Sequence, residues 1–153
     1  MLIDALQTLR EVRLAAERQA ERQLAGAMAL LAREKDREAR LAAELDAARA
    51  VRERTRADTS LTPSSAASIQ LTHRYATRLD AELQAAQAAL EAHTGGPLAS
   101  AATALERARA DHLRAHQRRE AVERAITRRQ SALRRDQDRR AEAAADDLPH
   151  RRR

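Results

Sequence analysis

The chain has 153 residues, of which 38 are Ala, 28 Arg, 19 Leu and 13 Glu, with a net charge of +6 and one aromatic side chain, Tyr75. Leu, Ile, Val and Phe together number 25, too few bulky side chains to offset chain entropy around one globular core, which argues against a compact enzyme. The absence of Cys excludes disulfides, thiolate metal sites and a cysteine nucleophile. What remains is an all-α, elongated protein, since Ala, Leu, Glu, Lys and Arg make up well over half of the chain.

Taken in chain order, a first helix is expected over about 2–58. A polar cluster, Thr59-Ser60-Leu61-Thr62-Pro63-Ser64-Ser65, interrupts it, with Thr62 able to cap a second helix whose first residue is Pro63. That helix is expected over about 64–93. Thr94-Gly95-Gly96-Pro97 forms a second interruption, where a glycine in the left-handed conformation ends one helix and proline begins the next, over about 97–146. Residues 148–153 read as a flexible basic tail. The whole is one helical-hairpin domain, an antiparallel coiled coil. The uncharged stretch from Leu24 to Ala32 is too short to span a membrane, and Asp4 and Glu11 are out of place in a leader peptide. A cytoplasmic protein with no membrane insertion is the expectation.

Apolar residues recur at alternating steps of three and four. The third helix shows this at Leu98, Ala101, Leu105, Ala108, His112, Ala115, Arg119, Val122, Ile126, Arg129, Leu133, Asp136 and Arg140. The second runs through Ile69, Thr72, Ala76, Leu79, Leu83, Ala86 and Leu90, and the first through Leu24, Ala27, Leu31, Glu34, Glu38, Leu41, Leu45 and Ala48. Upstream, the steps Ala16, Ala20, Leu24 are four and four, a local break in the heptad. Such narrow stripes, rich in Ala, suit a closely spaced pair of helices. Polar residues in the seam either fix register and oligomer state or keep the seam weak enough to exchange partners. On the outer faces, Asp36/Arg40, Glu120/Arg124 and Asp136/Arg140 are acid-before-base pairs, each worth about 0.2–0.5 kcal/mol.

Two registers compete. In the preferred one the first and third helices pair, with residue numbers summing to about 150: Leu45 meets Leu105, Met28 meets Val122, Leu24 meets Ile126 and Glu38 lies near His112, with 58–97 at the apex. The rival turns at Pro63 and pairs Leu41 with Leu83, Leu45 with Leu79 and Ala48 with Ala76. It is disfavoured because it leaves Val122, Ile126 and Leu133 without a partner.

No catalytic constellation and no cofactor motif is visible. His112 and His116 have the four-residue spacing of metal ligands but no acidic residue completes a compact motif, so a solvated face is expected and no metal. Gly95-Gly96 lacks the lysine and the preceding strand of a phosphate loop. Charge is uneven: residues 98–153 carry 15 basic and 9 acidic side chains, and within 107–140 there are 12 Arg against 5 acids. Nucleic acid is a poor partner for this face, because base-stacking aromatics are missing and acids interleave with the arginines. An acidic protein surface suits arginine forks better, and a plainly solvated face is the bland alternative. Tyr75 is either an interface anchor or a residue packed within its own hairpin.

The ending Arg139-Arg140-Ala141-Glu142-Ala143-Ala144-Ala145-Asp146-Asp147-Leu148, then Arg151-Arg152-Arg153, places paired acids near the end of a basic helix. With the near-terminal first helix and the polar mid-chain interruption, this resembles the small helical-hairpin stalk proteins of bacterial type III export, the FliJ and YscO-type family. Pro149, just after the paired acids, departs from that pattern. The resemblance implies a non-enzymatic coiled-coil stalk, cytoplasmic and peripheral to a membrane secretion apparatus. Its implied partners are a hexameric export ATPase, the cytoplasmic ring of the export gate and secretion chaperones. On this reading Arg128, Arg129, Arg134, Arg135, Asp146 and Asp147 face the ATPase, and Tyr75 is available to the gate. A general coiled-coil scaffold and a basic nucleic-acid binder are the alternatives.

Overall fold

The computed structural model describes residues 2–58 and 65–147, with the side chains at 2, 3, 146 and 147 outside the description. Every described residue except Ser65 is helical: α1 spans Leu2–Asp58, α2 Ala66–His93 and α3 Ala99–Asp147, with a π-helical turn at Thr94–Leu98 between α2 and α3. The fold is all-α, a helical hairpin, as the composition requires. No described helix is long and apolar enough to cross a membrane. The expected tail at 148–153 and the cap at Thr62 lie outside the described residues.

α2 begins at Ala66 rather than near Ser64, because Ser65 caps it. The Ser68 backbone N–H donates to Ser65 Oγ at 3.2 Å, and the Ser65 N–H donates to Ser68 Oγ at 3.3 Å. Two orphan donors of the first turn are thereby satisfied reciprocally.

The second interruption does not end a helix. Neither Gly95 nor Gly96 has a positive φ, and the chain passes from α2 into α3 through the π turn with Pro97 inside it. Two physical causes act together. Proline has no N–H to give to the carbonyl four residues back, and its ring clashes with that carbonyl. A π turn shifts the bonding to the fifth residue and relieves both. The second cause is phase. The seam of α2 continues through Leu79, Leu83, Ala86, Leu90 and His93, whereas that of α3 runs through Leu98, Ala101 and Leu105. Leu90 to Leu98 is eight residues, where a heptad has seven. The wider turn absorbs the surplus residue and keeps both seams inward.

Burial follows heptads closely. In α1, Leu6, Arg13, Glu17, Ala20, Leu24, Ala27, Leu31, Glu34, Glu38, Leu41, Leu45, Ala48 and Thr55 are buried or half-buried. The break expected at Ala16 is therefore absent: Ala16 is exposed and Glu17 takes the seam position, so the three-four alternation continues unbroken. In α3, Leu98 through Ile126 follow the expected stripe, as do Leu133 and Asp136, while Arg129 and Arg140 are exposed. In α2 two expected seam residues, Ile69 and Ala76, are exposed.

The chain forms two units. The described residues of Ala25–Arg107 form one and those of Met1–Leu24 with Ala108–Arg153 the other. Within the first, α1 runs antiparallel to α2: Arg52 pairs with Asp80, and His93 lies on Glu34. Its buried apolar residues are Leu45, Leu79, Ala101 and Leu105. Within the second, the start of α1 runs antiparallel to α3, with Arg10 3.7 Å from Glu123 and Glu17 bonded to His116; Ala20 and Val122 are its buried apolar residues.

These pairs overturn the preferred register. Arg52 with Asp80, and Glu17 with His116, give numbers summing to 132 and 133, not 150. Leu45 and Leu105 are therefore not opposite one another. The chain reverses between α1 and α2, as in the rival register, whose pairs sum to 124; His93 on Glu34 sums to 127, within a turn of it, and the long side chain of Arg52 reaches farther along α2 to Asp80. The objection to that topology falls because α2 runs on into α3 and the start of α1 lies against α3, where Val122 is buried. Polar pairs set this register, and apolar matching alone did not reveal it.

Candidate partner-binding surfaces

Two polar clusters sit in the seam. In the α1–α3 unit, His116 Nδ1 donates to Glu17 Oε1 at 2.7 Å, and Arg119 Nε lies 2.5 Å from Glu17 Oε2 without the alignment of a hydrogen bond. Arg119 also donates to Glu123 at 2.8 Å. The bond from His116 holds the Glu17 carboxyl below the usual carboxylate range; burial opposes this, and the Arg119 charge reinforces it. For Arg119, burial disfavours the charge, but Glu123 and Glu17 outweigh it and hold the guanidinium more firmly protonated than usual. Hence the solvated face expected at His112 and His116 is not what forms: His116 is tied across the seam and His112 is half-buried.

Glu17 therefore makes stability depend on acidity. Its folded carboxyl titrates lower than the unfolded one, so its contribution is complete above the ordinary carboxylate range and is lost as pH falls through the depressed value. The difference in melting temperature between the wild type and Glu17→Gln should be largest near neutrality and shrink on acidification. A difference that stays constant across a series of melts at falling pH contradicts this assignment.

In the α1–α2 unit, His93 is buried, and its Nε2 donates to the Glu34 backbone carbonyl at 3.0 Å. A carbonyl can only accept, which fixes the proton on Nε2. Glu34 Oε2 lies 3.5 Å from the same nitrogen and makes no hydrogen bond. Both clusters tie α1 to the helix opposite it, and among the described residues no group of three or more His, Asp or Glu is arranged to hold a metal ion.

The sequence-predicted surface residues fall in two places. Arg128, Arg129, Arg134 and Arg135 are all exposed on α3 and pair with no described residue. Nearby arginines differ: Arg124 bonds Glu120 at 2.6 Å, and Arg139 bonds Asp136, which was expected to pair with Arg140. The outer-face pair at Asp36 takes another form, with Arg40 Nε donating to the Asp36 carbonyl at 3.3 Å. Asp146 and Asp147 end α3, and their side chains lie outside the description. Tyr75 is in α2, in the other unit, and 47% exposed. It does not pack into its hairpin as Leu79 does.

Glu17, His93 and Leu71 had gone unassigned. The seven-residue spacing from Leu24 back to Glu17, and from Ala86 to His93, was the available signal for the first two. Compared with family models, with curated proteins and with solved structures, the chain matches none of them.

Proposed function

We propose that this chain is a non-enzymatic stalk of a bacterial type III protein export apparatus, cytoplasmic and peripheral to the membrane, that links a hexameric export ATPase to the export gate and modulates the ATPase. The helical-hairpin fold is compatible with the role, and the resemblance described above supplies the partners. The observation that carries the reading is the set of four exposed arginines on α3, Arg128, Arg129, Arg134 and Arg135, which pair with no described residue while neighbouring charges are paired. Guanidinium groups that bond no carboxylate among the described residues are ready to bond one on another protein. A hairpin lodged in a six-fold pore touches the subunits unequally, and so biases their conformations by its differential affinity for them.

Reversing these four arginines to Glu changes the net charge from +6 to −2 and leaves helix propensity nearly unchanged. Wild-type protein should raise ATP hydrolysis by the purified export ATPase, and the reversed variant should not. The difference should widen at low salt, where exposed charges are less screened. If the wild type leaves turnover unaltered but binds duplex DNA with a steep salt slope, the stalk reading fails and nucleic-acid binding replaces it.

A further inference from the structure

Near the start of α2 the seam stops covering its own apolar residues. Ile69 and Ala76 occupy seam positions yet are exposed, Ile69 by 53%. Beside them Leu71 is 72% exposed, the highest value among the large exposed hydrophobic side chains, and Tyr75 follows it four residues later. Leu71, Tyr75 and Arg78 have the i, i+4, i+7 spacing that lines one flank of a helix. With Thr55 of α1 and Arg74 they line a shallow groove between the two helices. Leu71 and Tyr75 supply an apolar strip, and the charged side chains along it are arginines, with no carboxylate among the lining residues. Arg78 is already bonded to Glu82 at 2.8 Å, whereas Arg74 pairs with no described residue.

We infer that this groove receives an amphipathic helix of another protein, one that lays its apolar stripe on Leu71 and Tyr75 and presents acidic side chains to Arg74. A groove between two helices with an apolar strip at helical spacing is the shape that a third helix fills. Charge selects the occupant. A second copy meeting this face in a symmetric pair would bring Arg74 and Arg78 of each copy against the same cationic rim, which disfavours self-association. An acidic helix meets instead the Arg74 guanidinium, which pairs with no described residue. The inference narrows the role given above to Tyr75 and rests on that reading only for where the partner resides.

The test uses the full-length protein and a fluorescent 21-residue helical peptide, with Leu at i, i+3, i+4 and i+7 repeats and Glu elsewhere, beside a twin carrying Lys in place of Glu. The acidic peptide should bind and the Lys twin should bind at least tenfold more weakly. Leu71→Glu should weaken acidic-peptide binding at least tenfold, and Arg74→Glu should reduce the preference for the acidic peptide. Both positions are exposed, and unchanged circular dichroism melts verify that the variants fold. Equal affinity for the two peptides, no binding of either, or indifference to Leu71→Glu overturns the proposal. So does light scattering that shows a dimer dissolved by Leu71→Glu, because the face then belongs to a second copy. ATPase stimulation is measured on the same variants: its retention when peptide binding is lost leaves the stalk reading standing, and its absence throughout leaves the groove intact as a result.

Discussion

Leu45→Ala should lower the free energy of unfolding by about 2–4 kcal/mol, the usual range for emptying a buried leucine site. The loss is large relative to the whole, since single domains hold only about 5–15 kcal/mol. In the unit formed by Ala25–Arg107 the buried apolar side chains are Leu45, Leu79, Ala101 and Leu105, and Leu45 is only 4% exposed. Two of those four are leucines other than Leu45, and alanine adds little area. Where neighbours relax only partly into the space, a cavity term adds to the lost transfer energy. Leu113→Ala is the control, at a residue 55% exposed, and should change stability by no more than about 0.5 kcal/mol. Urea titrations followed by circular dichroism measure both. Similar costs at the two positions would mean that the seam is not where stability resides.

The second large effect comes from shortening the chain by one residue. A variant that lacks Gly95 and carries Pro97→Ala should be more stable than the wild type by roughly 2–4 kcal/mol, from the helix propensities of glycine and proline relative to alanine. Deletion brings Leu90 and Leu98 to seven residues apart, so the seam crosses from α2 to α3 without a wider turn. Gly95 is dispensable on steric grounds: its φ is not positive and a Cβ placed there meets nothing within 4 Å. Pro97→Ala alone should keep a wider turn somewhere between Leu90 and Ala101, because the phase mismatch persists. Deleting Ala104 instead should be strongly destabilising, since it rotates an already continuous stripe outward. Thermal melts compare the three, and backbone chemical shifts at 94–98 report the turn. If deletion of Gly95 with Pro97→Ala destabilises as much as deletion of Ala104, phase is not what the π turn serves.

Much of the fold was legible because helix seams repeat every seven residues, and the buried stripes of α1 and α3 fall almost residue for residue on that repeat. The misreadings have separate origins. Glu17 was passed over for Ala16, although the carboxylate has His116 and Arg119 to satisfy it. Gly95-Gly96-Pro97 has the composition of a helix end, but the eight-residue step from Leu90 to Leu98 carries the signal of one surplus residue. Register was not recoverable from apolar matching, because a stripe so rich in alanine fits itself nearly as well after sliding by a turn or two; ion pairs break that degeneracy. On the surface, Tyr75 is legible as the one aromatic residue, and the four arginines as part of a stretch, 107–140, with 12 Arg against 5 acids. Leu71 did not, since an isolated exposed leucine is ordinary and only its neighbours make it a patch.

The π turn has the character of a dislocation in an otherwise periodic array. One surplus row, inserted into a regular lattice, costs much the same wherever it sits, and it glides unless something pins it. Pro97 is the pin: without an N–H it forfeits least where the bonding pattern is already displaced. With Pro97→Ala the extra residue remains but its position is released, and the turns on either side, from Leu90 to Ala101, take turns at harbouring it. Amide exchange would then quicken over that whole stretch instead of at 94–98 alone, and one residue of sequence would set where α2 and α3 can yield.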